Sequence, residues 1–150
     1  MAAAAGSAAT GALAVRTMLD TNVVSAIIRG AASDVLRTRL RAHPPGSVCV
    51  SAITEAELRY GLAKRPEAAA LAVAVEAFLR HVEILAWDRA CAVTYGQLRA
   101  ALETAGTQLG ALDTLIAAHA LAAGCTLATR DQAFRHVPRL HIDDWSTTTP

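Results

Sequence analysis

The chain has 150 residues, about the length of one domain. Its formal net charge is +1, with 14 basic and 13 acidic residues, so no global field draws it to nucleic acid or to an anionic membrane. Hydrophobic residues make up 53% of the chain, but no uncharged run approaches the roughly 18–20 apolar residues that span a membrane. We therefore expect one compact, soluble domain and no membrane segment.

Short apolar runs alternate along the chain with longer segments of helical periodicity. The predicted strands are residues 18–19, 48–50, 82–86, 126–129 and 140–142. The predicted helices are residues 23–28, 35–42, 51–63, 67–81, 89–104 and 112–123, with a short turn or helix over 131–134. This alternation predicts an α/β fold, a three-layer α/β/α sandwich with a mainly parallel central sheet of four to five strands.

Cap and turn residues mark the ends of these segments. Residues 33–34 (Ser-Asp) can cap the second helix, and residues 43–46 (His-Pro-Pro-Gly) stop it. Pro66 is placed to begin the fourth helix, and Asp88 to cap the fifth. Gly124 is expected to close the sixth helix in the left-handed conformation.

The ends of the chain and its cysteines predict no further chemistry. Arg16 follows the small apolar residues at the start instead of preceding them, which argues against a secretory signal. We predict a flexible extension over 1–16, a single domain over 17–146 and a flexible tail over 147–150. The three cysteines show no C-x-x-C spacing, which favours buried thiols in a reducing cytoplasm over a metal or redox role.

Four acidic residues follow strands or lie on helices that come after strands: Asp20, Glu57, Asp113 and Asp131. In a parallel sheet the chain leaves every strand at the same edge, so topology brings Asp20, Glu57 and Asp131 to that edge. Asp113 joins them if its helix begins there. Carboxylates held close together repel one another and raise one another's pKa values until protons or a cation neutralise them.

A divalent cation is the natural partner of such a group. Ligation by oxygen alone favours Mg²⁺ or Mn²⁺, and no cluster of His and Cys indicates zinc. The site can then lower the pKa of a bound water and position it for attack on a phosphodiester. Each acid also has a simpler interpretation, because Asp20 can cap a helix, Glu57 can be solvated, Asp113 can complement a helix dipole and Asp131 can begin a turn.

Four segments resemble, in order, those of PIN-domain ribonucleases of the VapC toxin type. They are MLDTNVVSAI, SAITEAELRYGLAKR, LGALDTLIAAHALAAGCTLATRDQAF and VPRLHIDDW, and the resemblance covers residues 17–145. It implies a PIN-like fold and a set of metal-binding, catalytic acids, namely Asp20, Glu57, Asp113 and Asp131. It also implies that Asn22 and Thr129 are polar residues around the metal and its waters.

The resemblance implies the toxin component of a type II toxin–antitoxin system. Such a toxin is an endoribonuclease that hydrolyses phosphodiester bonds of RNA with Mg²⁺ or Mn²⁺, and a cognate VapB-type antitoxin holds it inactive. Homodimers and toxin–antitoxin hetero-oligomers are usual in that family. The alternative is a catalytically inactive PIN-like module, whose binding of RNA or protein would survive chelation of metal and loss of Asp20.

Basic residues and one tyrosine near the acids are candidates for contacts to RNA phosphates, and the contacts of the basic residues would be salt-sensitive. The candidates are Arg59, Tyr60, Lys64 and Arg65, with Arg37, Arg39 and Arg41 as a second group on another predicted helix. A solvated helix face is the simpler interpretation of both groups.

Two other enzyme classes place an acid after the first strand. A haloacid-dehalogenase-like phosphatase needs a second Asp two residues later, where this chain has Asn22. A response-regulator receiver domain requires a lysine late in the chain, but the only lysine is Lys64. These departures argue against both classes.

Overall fold

A computed structural model describes residues 15–30 and 34–147. The strands are β1 (Thr17–Leu19), β2 (Val48–Ser51), β3 (Glu83–Leu85), β4 (Thr126–Thr129) and β5 (Ile142–Asp144). The α-helices are α1 (Thr21–Ile28), α2 (Asp34–Ala42), α3 (Ala52–Lys64), α4 (Ala69–His81), α5 (Arg89–Thr104) and α6 (Ala111–Ala123). A 3₁₀ helix covers Gln132–His136.

The five strands form one sheet in the order β3-β2-β1-β4-β5, and every neighbouring pair is parallel. The strand β1 is central, with Met18 paired to Cys49 on one side and to Leu127 on the other. Because all five strands run the same way, their last residues lie along one side of the sheet, called the carboxyl edge below. The predicted parallel sheet is confirmed, with five strands.

Alternate residues of the strands pack into two separate cores, as the pleat of a strand requires. Met18 belongs to one core, with Leu98 of α5 and Ile116 of α6. Leu19 belongs to the other core, with Leu79 of α4 and further residues of α1, α2 and α3. Helices therefore cover both faces of the sheet, and the predicted three-layer α/β/α sandwich is confirmed.

The last strand was predicted over 140–142 but lies at Ile142–Asp144, so its predicted position is wrong by two residues. The Leu140 N–H donates to the Val137 carbonyl at 3.4 Å, which closes a turn before the strand. Within this turn, the backbone of Arg139 has a φ of 64°. The strand is at the edge of the sheet and ends in two aspartates. Polar edge strands are common, and they carry no apolar pattern for sequence reasoning to detect.

The helix α4 begins at Ala69 and not directly after Pro66, so the predicted start at residue 67 is wrong. The Ala68 N–H donates to the Arg65 carbonyl at 3.0 Å, and the Ala69 N–H donates to the Glu67 carbonyl at 2.9 Å. These bonds close a turn around the proline, which explains why the helix starts later. The predicted bounds of α5 and β4 are confirmed without change.

All three cysteines are buried and free, which agrees with the prediction of buried thiols. The Sγ atoms of Cys49 and Cys125 lie 3.9 Å apart across the core beneath α6. None of the described helices is both long and apolar enough to cross a bilayer.

Residues 1–14, 31–33 and 148–150 lie outside the described residues. The extension predicted over 1–16, the tail predicted over 147–150 and the capping role of Ser33 fall wholly or largely there. These expectations stay predictions, as does the single domain over 17–146.

Arg39 of α2 is a buried arginine, only 5% exposed. Its Nε donates to the Thr147 carbonyl at 2.7 Å and its Nη2 donates to the Asp144 carbonyl at 2.8 Å. Its Nη1 lies 3.3 Å from Asp143 Oδ1. Arg39 thus holds the chain after β5 against α2, and the hypothesis that it contacts RNA phosphates is wrong because the guanidinium is enclosed.

Candidate active site

The four predicted acids approach the carboxyl edge of the sheet from four different elements. Asp20 directly follows β1, Glu57 lies in the second turn of α3, Asp113 lies in the first turn of α6, and Asp131 follows β4. Asp20 is 2% exposed, and the other three side chains are partly buried. The charges of Asp20, Asp131 and Glu57 all act on Asp113, so the fold brings the four acids within electrostatic reach of one another.

Asp20 is the buried member of this group and also the N-cap of α1. Its Oδ1 accepts a hydrogen bond from the Val23 N–H at 2.8 Å, and its Oδ2 accepts one from Thr129 Oγ1 at 2.5 Å. Burial raises the pKa of Asp20, these two bonds lower it, and the neighbouring charge of Asp131 raises it further. Asp20 can therefore cap α1 and also act at the carboxyl edge of the sheet, because each of its carboxylate oxygens keeps a second lone pair.

Thr129, the last residue of β4, joins Asp20 to Asp131. Its hydroxyl donates to Asp20 and accepts the Asp131 N–H at 2.9 Å. The Asp131 carboxylate in turn accepts the Ala133 N–H at 2.9 Å and caps the 3₁₀ helix. The backbone and one hydroxyl thus fix the spacing between the two carboxylates, which gives Thr129 a structural basis for the predicted role beside the site.

Glu57 is oriented by two threonines from different helices. Thr21 Oγ1 of α1 donates to Glu57 Oε1 at 2.8 Å, and it lies 3.0 Å from Thr54 Oγ1 of α3. Because Thr21 has one hydroxyl hydrogen, which it donates to Glu57, Thr54 is the donor in the second bond. The pair of hydroxyls holds the carboxylate against the start of α1, next to Asp20.

The surroundings of Asp113 raise the pKa of its carboxyl group. Burial, followed by the charges of Asp20, Asp131 and Glu57, raises the pKa of Asp113 to about 6. Its carboxylate lies close to Gly110, since a Cβ built on that glycine would stand 3.5 Å from Asp113 Oδ2. A carboxyl in this environment is stabilised by a proton or by a cation.

We expect Asp113→Asn to raise the free energy of unfolding of the metal-free protein at pH 7 by about 1–2 kcal/mol. A carboxyl whose pKa rises to about 6 on folding makes the folded state less stable as the pH increases from about 4 to 6 and beyond. The full shift corresponds to about 3 kcal/mol, and solvent screening reduces it. Urea unfolding at pH 4 and pH 7 measures the effect, most of which should be lost at pH 4.

Asp88→Asn is the control for that measurement. Asp88 caps α5, and backbone hydrogen bonding from Cys91 lowers its pKa, so its carboxylate stabilises the fold at pH 7. The amide at position 88 should therefore bring no gain in stability. A loss of stability in Asp113→Asn at pH 7 would contradict the repulsion inferred for the site.

The donor chemistry of the edge fits a hard divalent cation. All four acids offer oxygen ligands, and Mg²⁺ commonly takes only one or two carboxylates while keeping several waters. Within 15–30 and 34–147, no three His, Cys, Asp or Glu side chains already form a ready-made ligand set. The Glu57 carboxylate accepts a hydrogen bond from Thr21, and the Asp20 carboxylate accepts one from Thr129. The cation would therefore be bound by only some of the four carboxylates, and water would supply its other ligands.

The remaining predicted site residues lie around this group or farther along α3. Asn22 is exposed in the first turn of α1. The guanidinium of Arg59 pairs with Glu55 and Glu76, each at 2.8 Å, and so links α3 to α4. Tyr60 is 65% exposed, with Lys64 Nζ 5.2 Å from its ring centroid.

The contacts to RNA predicted for Arg59, Tyr60, Lys64 and Arg65 remain predictions. Lys64 is seven residues after Glu57, about 10 Å along the helix axis. The charge of Arg59 is already balanced by two carboxylates, which weakens its attraction for phosphate.

Two residues that orient the site, Thr21 and Thr54, were not predicted from the sequence. A signal for each is present, because Thr21 directly follows Asp20 and Thr54 precedes Glu57 by three residues, about one turn of the helix. Their contact joins α1 to α3, and sequence spacing within either helix does not reveal it.

Comparison with known proteins identifies the family. The family model described as PIN domain matches residues 17–140. The tRNA(fMet)-specific endonuclease VapC of Shigella flexneri is 34% identical over 130 residues, which cover 86% of this chain and 97% of that protein. Ribonuclease VapC2 of Rickettsia felis is 35% identical over 130 residues, which cover 85% of this chain and 96% of that protein.

Comparison with solved structures identifies the same family. The crystal structure of VapBC2 from Rickettsia felis bound to a DNA fragment from their promoter superposes with a TM-score of 0.80 at 31% identity, covering 87% of this chain and 99% of that chain. Sequence and fold together define a PIN domain, the class of protein expected from the four motif segments. Within that class, the chain belongs to the family of VapC-type toxins, which are ribonucleases.

Proposed function

We propose that this VapC-type toxin is an endoribonuclease that hydrolyses phosphodiester bonds of RNA with Mg²⁺, or with Mn²⁺ in its place. The observation that carries this proposal is the convergence of Asp20, Glu57 and Asp131 on Asp113, whose pKa they help to raise to about 6. Such a group of carboxylates attracts a divalent cation, and a bound cation can offset the charge that develops on a phosphodiester during hydrolysis.

Each acid has a role in this proposal that follows from its contacts. Asp20 and Asp113 would hold the cation, and the hydrogen bonds from Thr129 and from the Val23 N–H fix the Asp20 carboxylate in place. Asp131 would add negative charge and a further ligand from the segment after β4, where its N–H donates to Thr129 Oγ1. When bound, the cation supplies Lewis-acid polarisation of the phosphate and lowers the pKa of a coordinated water.

Glu57 is the acid suited to receive a proton. Its Oε1 accepts the Thr21 hydroxyl, which leaves Oε2 as the oxygen that faces the incoming water in this proposal. Thr21 and Thr54 keep the carboxylate from rotating away. Asn22, exposed at the start of α1, would hydrogen-bond to waters around the cation.

The partners follow from the family and are proposed here for this chain. Structures similar to this one include toxin–antitoxin complexes, such as DNA-bound VapBC from Salmonella typhimurium, at 33% identity and a TM-score of 0.80. We infer a cognate VapB-type antitoxin, a toxin homodimer and their hetero-oligomer. The cytoplasm is the expected location, because cellular RNA, the proposed substrate, is found there.

The test is cleavage of a mixed pool of cellular RNA by the full chain freed of antitoxin. Reactions contain Mg²⁺, Mn²⁺ or a chelator, and the cut ends are mapped by sequencing. We expect discrete cuts with either metal and none with chelator. Binding of RNA that survives chelation, without cuts in any reaction, would identify the alternative instead, a PIN-like module that binds RNA and does not hydrolyse it.

A further inference from the structure

A cavity of about 480 Å³ opens next to the acidic group, between one face of α5 and the segment 107–111. Tyr95 of α5 lines it on one side, and Leu109 and Gly110 line it on the other. Gly110 is also the residue whose added Cβ would lie 3.5 Å from Asp113 Oδ2. The cavity therefore shares a wall with a carboxylate of the candidate active site.

The polar side chains on the α5 wall of this cavity hold one another in place. Arg99 Nη1 donates to Tyr95 Oη at 3.2 Å, and Arg99 Nε donates to Glu103 Oε1 at 3.1 Å. The Tyr95 ring meets the Trp87 ring edge-on, with centroids 6.1 Å apart. A guanidinium has five N–H donors, so these two bonds leave three of them for a ligand.

A nucleobase matches the chemistry of this cavity. Proteins that recognise single-stranded RNA stack bases on aromatic rings and hydrogen-bond to the base edges. Tyr95 and Leu109 offer the flat or apolar surface, Arg99 and Gln108 offer donors, and Glu103 offers an acceptor. The Glu103 carboxylate repels a phosphate, whereas base edges carry donors that it can accept. The volume lies in the range of small-molecule sites, about 300–1,000 Å³.

We propose that this cavity holds one unpaired base of the RNA beside the bond that is cut, and that Arg99 and Gln108 select that base. The inference rests on the proposed ribonuclease function and adds a specificity site to it. The shared wall at Gly110 supplies the geometric link, since a base held there places its own backbone next to Asp113.

Sets of four RNA oligonucleotides test the proposal. The four RNAs of a set differ only in the base at one position beside a mapped cut, and each position beside the cut has its own set. The variants are Arg99→Ala and Gln108→Ala. Their matched controls are Arg80→Ala on α4 and Gln97→Ala on α5, exposed residues of the same types outside the cavity. Cleavage is measured as kcat/KM, and binding of the same RNAs is measured by fluorescence anisotropy in chelator.

We expect the wild-type protein to prefer one base at one position. Each cavity variant should lower kcat/KM on the preferred RNA about tenfold, equivalent to about 1.4 kcal/mol, and reduce its advantage over the other three RNAs. The controls should behave like the wild type. The proposal is overturned if the wild type shows no base preference, or if both variants retain the preference. It is overturned equally if the variants retain the preference and Arg99→Ala only weakens binding to another protein.

The binding measurement separates this proposal from the ribonuclease function. If the wild-type protein cuts no RNA with either metal, the ribonuclease proposal fails and no cut is mapped, so the four RNAs then differ in the base at each position of one short single-stranded RNA in turn. Base-dependent binding in chelator that Arg99→Ala abolishes then supports the base site. Equal binding of the four RNAs at every position rejects it.

Discussion

Asp20→Asn is expected to lower the rate of RNA cleavage at least about a hundredfold while the protein stays folded. Loss of a group that merely supports a metal ligand typically costs about 10- to 100-fold, and Asp20 is proposed to hold the cation itself. An asparagine at position 20 keeps a side-chain oxygen for the Val23 N–H, so the cap of α1 survives. Initial cleavage rates in Mg²⁺, together with circular dichroism, measure both effects.

Asp88→Asn is the matched control for this substitution. Asp88 caps α5 through the Cys91 N–H at 3.2 Å, as Asp20 caps α1, but it is exposed. It lines a separate pocket with Arg16, which precedes β1, and Ala123, which ends α6. The Asp88→Asn protein should cut RNA at the wild-type rate. If folded Asp20→Asn protein cuts RNA as fast as the control, Asp20 is only a helix cap and the proposed catalytic arrangement is wrong.

The largest expected effect on stability is at Arg39. Arg39→Ala should lower the free energy of unfolding by about 3 kcal/mol, because it leaves Asp143 and the carbonyls of Asp144 and Thr147 without the guanidinium that they share. Removing one partner of a buried ion pair typically costs about 3–5 kcal/mol, and the partial exposure of Asp143 places this case at the lower end. Urea unfolding at pH 7 is the measurement.

Arg37 and Arg41 provide controls on the same helix. Both side chains are exposed, so Arg37→Ala and Arg41→Ala should change the free energy of unfolding by no more than about 0.5 kcal/mol. The three arginines alternate along α2 and differ only in what the fold places against them. A change at Arg39 as small as at its neighbours would show that its contacts do not hold the chain after β5.

The four acids show how far sequence reasoning reaches for the site. Asp20 and Asp131 follow strands, and Glu57 lies on a helix that follows one, so parallel topology alone predicts one shared edge. The start of α6 at Ala111 then puts Asp113 in its first turn, as the prediction required. The positions of the acids were thus predictable from local patterns combined with one general rule of sheet topology.

The contacts that orient these acids were not predictable in the same way. Thr21 reaches Glu57 from a different helix, and Thr129 reaches Asp20 from a different strand, across 36 and 109 residues of sequence. A hydroxyl beside an acid in sequence does not reveal which acid it will bond to after folding. The strand β5 was misplaced for a related reason, since Asp143 and Asp144 become strand residues only by pairing with Ala128 and Thr129.

By itself, the sequence determined the α/β class, the alternation of strands and helices and the four acids that the family motifs carry. The class and the alternation depend on the periodicity of apolar residues and on cap residues, which are local properties. The acids were found from their places after strands and from the motifs that resemble the family. Only the tertiary structure decided which acid is buried, which hydroxyls hold the acids, that Arg39 is enclosed while Arg37 is exposed, and that a cavity adjoins Asp113. Those outcomes arise from packing between segments far apart in the chain, where burial and electrostatic fields are set by neighbours that no local pattern specifies.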